Sequence, residues 1–323
     1  MNLNRRDFGA FTAAGLLLGS KAFAEQYPSK LITIVVPQAP GGTNDTVGRI
    51  LAQKLGELSN QRVIVENRPG ANGNIGTEYA ARQSKEGYTL LLTVSSTQAI
   101  NPALYKKISF DPVKDFDPVA PVGVVPNVLV VNPSFSAKTM AELIQVAKTS
   151  KEPPQYASAG NGSLNHLLGA MLASRAGIQL QHVPYRGVAP ALTDVMGGQI
   201  PLAFASLPSC IEFIKSGKLR ALGVSSPKRS FALPDVPAIS EVVPGYTGEL
   251  WVGLFSVHGT PAPVIAKLNE LVAQAVAAPD VQERFKVAGV EPLTGGPTRL
   301  AQLLKEDIAR WAPIVKESGA VVD

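Results

Sequence analysis

Apolar residues fall along this chain in two kinds of run. Short continuous apolar stretches are bounded by glycine, proline or asparagine, and longer stretches return to an apolar residue at helical spacing. The first kind reads as buried strands and the second as helices with one apolar face. Strands are expected at 31–36, 62–66, 88–94, 155–158, 181–184, 202–205, 221–225 and 251–257, and another over 122–131 is broken at Pro126. Helices are expected after Gly42, near Thr77, over 138–148, from Leu164, up to Met196, around Cys210 and Ile214, and from Thr260-Pro261 onward, with breaks at Gly289 and Gly295-Gly296. Strands alternating with helices predict an α/β protein with mostly parallel sheets flanked by helices.

The most informative junction is Ile34-Val35-Val36-Pro37-Gln38-Ala39-Pro40-Gly41-Gly42-Thr43-Asn44-Asp45. An apolar strand stops at Pro37, two glycines permit a tight turn with positive φ, and Thr43 or Asn44 can cap a helix whose apolar positions are Val47, Ile50, Leu51 and Leu55. Strand, glycine turn and helix start converge free N–H groups on one spot, which suits an anion. A plain strand-to-helix connection has the same outline. No Lys-Ser/Thr follows the glycines, and their spacing is not that of a dinucleotide fingerprint.

The amino terminus changes the expected location. Asn4-Arg5-Arg6-Asp7-Phe8, an apolar run over 9–19 and Ala22-Phe23-Ala24 have the three regions of a signal peptide, so residues 1–24 should be removed and the mature chain should begin near Glu25. The Arg5-Arg6 pair and Lys21 lean toward twin-arginine export, with the general secretory route as the alternative. The apolar run is too short for a permanent anchor. A soluble periplasmic protein is expected. The single cysteine, Cys210, excludes an internal disulfide framework and reads as a buried core thiol. Net charge is +5, and removing residues 1–24 takes away Arg5, Arg6 and Lys21 against Asp7, leaving +3. The charges are scattered, which argues against nucleic acid as a partner. The length suggests two domains.

Small polar residues and glycines recur at strand C-terminal ends: Gly41-Gly42, Ser95-Ser96-Thr97, Ser158 with Gly160 and Ser163, Tyr185 with Gly187, and Ser206. That edge is where open α/β sheets bind ligands. Two groups precede Pro126 and three follow it, so two domains facing across a cleft would share one ligand. The remaining chemistry is thin. His166, His182 and His258 lack metal-ligand spacing, and there is no nucleophile elbow. No metal or cofactor is expected, and no enzymatic activity. Gly160-Asn161-Gly162-Ser163 reads first as a capped helix start, Asp45 as a brace for its helix, His166 as a packed helix residue, and 111–116 as a surface turn. Arg186, between Tyr185 and Gly187, is placed on a carboxylate rather than in solvent.

Several segments together resemble one family. VPQAPGGTND is similar to the Pro-x-x-Pro-Gly-Gly-x-x-Asp loop of Bug-type periplasmic solute-binding proteins of tripartite tricarboxylate transporters. VENRPGANGNIG, DPVKDFDPVA, YASAGNGSLNHL, HVPYRGVAPALTDVMGGQI, GKLRALGVSS and LPDVPAISE match other segments of that family in order. The resemblance implies a two-domain Venus flytrap, split here as 25–125 and 249–323 against 126–248, that closes on a small organic acid. Candidate ligands are a di- or tricarboxylate, an aromatic acid or an acidic amino acid. One carboxylate would lie on Gln38, Ala39, Pro40, Gly41, Gly42 and Thr43, with Asp45 beside them, held by backbone and ordered water. Ser95, Ser96, Thr97, Ser158, Gly160, Asn161, Ser163, Tyr185, Arg186, Gly187 and Ser206 would line the rest. Two departures stand out: Gln38 replaces a frequent aromatic residue, and Phe204-Ala205-Ser206-Leu207 replaces a frequent Asp-Asn pair. The expected partners are inner-membrane permease subunits, or, alternatively, a membrane signalling protein that reads the liganded receptor. A monomer is expected.

Overall fold

The structure is a computed structural model, and it describes residues 27–322. The signal peptide, the Arg5-Arg6 export signal and the cleavage near Glu25 lie outside those residues.

The chain begins with β1 (Ile32–Val36), helix α1 (Thr43–Ser59), β2 (Val63–Asn67), α2 (Asn74–Ala81) and β3 (Thr89–Val94). A π-turn over Ser96–Ile100 and a short helix α3 (Asn101–Leu104) lead to β4 (Phe116–Val125). Then come β5 (Asn127–Val131), α4 (Met140–Thr149), β6 (Gln155–Ser158), α5 (Leu164–Ala176), β7 (Gln181–Pro184), α6 (Val188–Met196), β8 (Leu202–Ser206), α7 (Leu207–Lys215) and β9 (Arg220–Val224). The chain closes with β10 (Leu250–Val257), α8 (Ala262–Ala277), α9 (Pro279–Val287), β11 (Glu291–Pro292) and α10 (Pro297–Ser318).

The strands form two sheets, one of six strands ordered β11-β4-β10-β3-β1-β2 and one of five ordered β7-β6-β8-β5-β9. The α/β class therefore stands, but the sheets are mixed. β1 runs parallel to β2 and β3, and β6 parallel to β7 and β8, whereas β10 is antiparallel to β3 and β4 and β5 is antiparallel to β8 and β9. The reason is the route of the chain. It leaves the first sheet along β4, enters the second along β5, leaves that along β9 and returns along β10. Strands that leave and return through one junction must run in opposite directions.

Ser225, at the end of β9, fastens the two passages together. Its N–H donates to Asn127 O at 2.8 Å, its hydroxyl donates to Gly248 O at 2.5 Å, and Gly248 N donates back to Ser225 O at 2.9 Å.

Strand periodicity sets the core. Ile32, Ile34 and Val36 of β1 pack with Val47, Leu51 and Leu55 of α1 and with Leu268 and Phe285 of α8 and α9. Val35 points the other way, into a second cluster with Leu91, Leu300 and Trp311. The start of β4 at Phe116 departs from the expected strand over 122–131. The turn at 111–115 exists, with Asp111 Oδ1 accepting from Val113 N at 2.9 Å and Lys114 N at 3.1 Å, but Phe116 is a buried strand residue.

The first loop is held by a close approach. A Cβ at Gly76 would stand 2.5 Å from Arg68 O and 2.8 Å from Pro37 Cα, so α2 sits directly on the end of β1. Gly76→Ala should lower unfolding stability by about 1–3 kcal/mol, the usual range for overpacking against atoms that cannot yield. Chemical denaturation measures it, and wild-type stability would refute the close approach.

Candidate functional site

The loop between β1 and α1 is built on one buried carboxylate. Asp45, 3% exposed, takes Gly41 N at 2.9 Å and Arg49 Nε at 3.0 Å on Oδ2, and Asn67 Nδ2 at 2.9 Å on Oδ1. Asn67, at the end of β2, also donates to Gln38 O at 3.1 Å. Burial alone would push the Asp45 carboxyl up, but Arg49, the Gly41 amide and Asn67 together hold it below its ordinary value. Asp45 thus braces the loop from inside.

Two details of the expected geometry change. Gly41 has φ +83°, as a tight turn requires, whereas Gly42 is extended at φ −75° and ψ 167°. Gly42 is also the residue that caps α1, without a side-chain cap, and Thr43 is the first helical residue. Asn44 is not the cap because its amide turns inward, donating to Leu92 O at 3.0 Å and to Gln38 Oε1. The Gly41 N–H, expected to face a ligand, is engaged by Asp45. The amides of Gly42 and Thr43 remain at the helix start, although Gly42 N leans toward Ala39 O at 3.5 Å.

The other strand ends sort into bracing groups and surface groups. Gln38 Nε2 donates to Thr97 Oγ1 at 3.2 Å, and the Thr97 hydroxyl donates to Asn72 O at 3.0 Å. The Ser95 hydroxyl donates to Glu249 O at 3.1 Å. Ser95, Thr97 and Ser158 are fully buried. Ala39, Pro40, Gly41, Gly42, Asn161 and Arg186 are exposed, while Thr43, Ser96, Gly160, Ser163, Tyr185, Gly187 and Ser206 are half-buried. Ser206 Oγ pairs with Ser209 Oγ at 2.7 Å.

The loops after β6 and β7 are zipped together. Tyr185 N donates to Ser158 O, and Gly187 N to Ala159 O, each at 3.2 Å. Tyr185 is anchored by donating its hydroxyl to Asp194 Oδ2 of α6 at 2.6 Å. Ser163 caps α5, taking His166 N at 3.3 Å. A Cβ on Gly162 would lie 2.6 Å from Leu104, which puts the loop after β6 against α3, beyond the end of β3. The two sheets therefore meet at their loop edges.

Sequence reasoning passed over Asn67 and His182. Asn67 stood only within the VENRPGANGNIG segment, and His182 only as a strand residue without metal-ligand spacing. Cys210 is buried as expected, and burial pushes its thiol up to about 12. His166 is 5% exposed, in the packed position expected of it.

Paired crossings between two sheets, with small polar loops on both, define a two-lobed solute-binding protein of the periplasmic type. The chain belongs to the tripartite tricarboxylate transporter receptor family, whose model (Tripartite tricarboxylate transporter family receptor) matches residues 47–320. It is 35% identical to the periplasmic binding protein BugD, with a TM-score of 0.74 over 91% of this chain and 99% of that one. Rpa4515 of R. palustris, solved with adipate, is 32% identical with a TM-score of 0.78, covering 91% of this chain and 99% of its own. MatC of Rhodopseudomonas palustris, solved with bound malate, is 31% identical with a TM-score of 0.74, covering 90% and 100%. Among the described residues no helix is long and apolar enough to cross a membrane.

Asp45→Ala should cost about 1–3 kcal/mol of stability by leaving the Gly41 and Asn67 donors without their acceptor. A denaturation midpoint equal to wild type would show that the brace is idle.

A second test concerns pH. Burial holds His166 and His182 down to about 4, and His166 adds to the effect on His182. Their unfolded values lie near ~6.5, so the unfolded chain takes up these protons first. Their contribution is intact above that value and declines as pH falls toward about 4. Thermal melts from pH 7 to 4 should show a smaller acid loss in the double variant His166→Asn, His182→Gln than in wild type.

Proposed function

We propose that this protein is a non-enzymatic periplasmic receptor that captures a small organic carboxylate between two lobes and delivers it to inner-membrane permease subunits. The lobes are 25–125 with 249–323, and 126–248. Export by the amino-terminal signal would bring the receptor to that compartment. One observation carries the reading. The loop from Gln38 to Thr43 is braced underneath by Asp45 and leaves the Gly42 and Thr43 amides at the start of a 17-residue helix. Such a terminus favours an anion through its N–H groups and dipole.

Adipate and malate in two family structures support a carboxylate as the cargo. Many of the buried hydroxyls and amides around the loops bond to one another, which favours a preformed cradle for binding over a centre for turnover. On this reading, Ser96, Gly160, Ser163, Tyr185, Arg186, Gly187 and Ser206 line the remainder of the cleft. Ser95, Thr97, Ser158 and Asp45 act through the loops they hold.

A thermal-shift screen over di- and tricarboxylates, aromatic acids and acidic amino acids tests the reading. A bound acid at ~100 times its dissociation constant should add about 2.7 kcal/mol of stability. Absence of any shift across the panel would remove the carboxylate assignment. With an acid that binds, Thr43→Ala should cost at most about 0.5–1.5 kcal/mol, the net worth of one hydrogen bond. Gly41→Val should cost more in calorimetric titration, because valine does not hold the positive φ of the turn. Normal binding by Gly41→Val together with complete loss in Arg186→Ala would move the anion to the other lobe.

A further inference from the structure

Behind the ligand edge of the second sheet lies a column of three rings. β6 and β7 run parallel with Tyr156 opposite His182 and Ser158 opposite Pro184. Tyr156 and Ser158 share one face of β6. On that face His182 lies beside Tyr156, with ring centroids 5.2 Å apart, and its Nε2 stands 2.6 Å from Ser158 Oγ in a hydrogen bond. His166 comes down from α5 and stacks on His182 with centroids 3.7 Å apart and planes 11° from parallel. Tyr156 OH donates to His166 O at 2.9 Å and ties the column to the helix. A cavity of about 320 Å³ between α5 and α10 reaches both imidazoles from behind, with Glu317 on its wall.

The column ends in the loop that caps α5. Gly162 N donates to His166 Nδ1 at 3.1 Å. A backbone N–H only donates, so Nδ1 of His166 is the bare nitrogen and its proton is on Nε2. Ser158 Oγ accepts Gly160 N at 3.1 Å and donates to Gly160 O at 3.2 Å. Ser158 Oγ and His182 Nε2 share a hydrogen bond whose direction follows the His182 tautomer. The Ser163 hydroxyl also donates to Gly160 O, at 2.7 Å. The Ser158 hydroxyl and the Gly162 amide are thus each engaged by one of the two imidazoles.

We propose that His182 and His166 are positioning residues of the ligand site, fixing the loop from Ser158 to Ser163 through the Ser158 hydroxyl and the Gly162 amide. This deepens the receptor reading and rests on it. Neither ring is needed to touch the cargo. The pair sets where the amides and hydroxyls of Gly160, Asn161 and Ser163 stand before a carboxylate arrives, and a loop already in place loses less freedom on binding. His166 must be neutral for this. A proton on His166 Nδ1 would oppose the Gly162 N–H, donor against donor. Tyr156 and Glu317 are the other titratable groups facing the pair, from β6 and α10.

The test uses replacements that keep or remove one nitrogen. Gln supplies an N–H near the place of His Nε2, and Asn supplies an acceptor near the place of Nδ1. Phe and Leu fill space without either. With malate and adipate as probes, His182→Phe and His166→Leu should each weaken binding about tenfold, the fold-change that corresponds to one lost hydrogen bond of about 1.4 kcal/mol. His182→Gln and His166→Asn should stay within about threefold of wild type, given how closely they replace the bond. His182→Phe should add nothing in a Ser158→Ala background, since the two act through one contact.

Amide hydrogen exchange on the free protein reads the loop without any probe. Gly160 and Gly162 should exchange faster in His182→Phe and His166→Leu, and at the wild-type rate in the Gln and Asn variants. Unchanged exchange in the Phe and Leu variants, or equal loss in all four, overturns the positioning role. If wild type binds neither acid while exchange follows the expected pattern, the assignment of these two acids fails and the positioning role stands.

Discussion

The geometry of the first loop depends on a carboxylate that faces inward. Asp45 gathers three donors from three elements: Gly41 of the turn, Arg49 one turn along α1, and Asn67 at the end of β2. A buried carboxylate is stable only when its oxygens are satisfied in this way. Once they are, the turn cannot relax without leaving the charge exposed to an apolar surrounding. A second set of bonds builds on this one. Gln38 is held at its carbonyl by Asn67 and at its amide by Thr97 and Asn44. The strand end, the turn and the π-turn after β3 are therefore one rigid unit, and the helix start of α1 is aimed by it.

The same logic recurs in the second lobe with neutral groups. Ser158 and the two imidazoles do there what Asp45 does in the first lobe, holding a glycine-rich loop through its amides. The difference follows from charge balance. Asp45 has Arg49 at 3.0 Å to offset it. Stacked rings that both carried charge would repel at close range. Neutrality is the arrangement that burial permits. Between the lobes, Ser225 ties the outgoing and returning strands over Asn127 and Gly248.

How much of this the sequence carries depends on distance along the chain. Strands such as β1, β3 and β6 are visible because each is a short apolar run ended by proline, serine or glycine. β4 is harder to read because Pro118 and Pro121 interrupt it. They are tolerated where the pairing with β10 shifts register, opposite Phe255 and Gly253, at irregularities that free a strand residue from donating. The cap of α1 was expected at Thr43 or Asn44 because those residue types favour that place. Asn44 instead turns to Leu92, forty-eight residues away, a partner that no local pattern discloses. The strand-end glycines and serines are legible as a set, but sequence alone cannot divide them into those that face the cleft and those that hold the loops. That division is set by tertiary contacts, as with Ser158, whose partner His182 is brought in by the parallel register of β6 and β7.

The choice of donors has a consequence for a receptor that must release what it binds. On the proposed reading the two loops offer backbone amides and hydroxyls, and Arg186, in the neighbouring loop after β7, is exposed to water. A buried ion pair would raise affinity only after the cost of stripping water from both charges, and a mismatch in its geometry would leave one of them stranded. Neutral donors oriented by a helix terminus avoid that cost and still favour an anion. Their individual contributions are small, so affinity comes from having many of them fixed at once. In the proposed receptor, affinity would depend on how firmly the loops are held. That explains why so many buried polar side chains at these strand ends are engaged with one another. In the receptor we propose, closure of the lobes would add the remaining donors together and separation would remove them together.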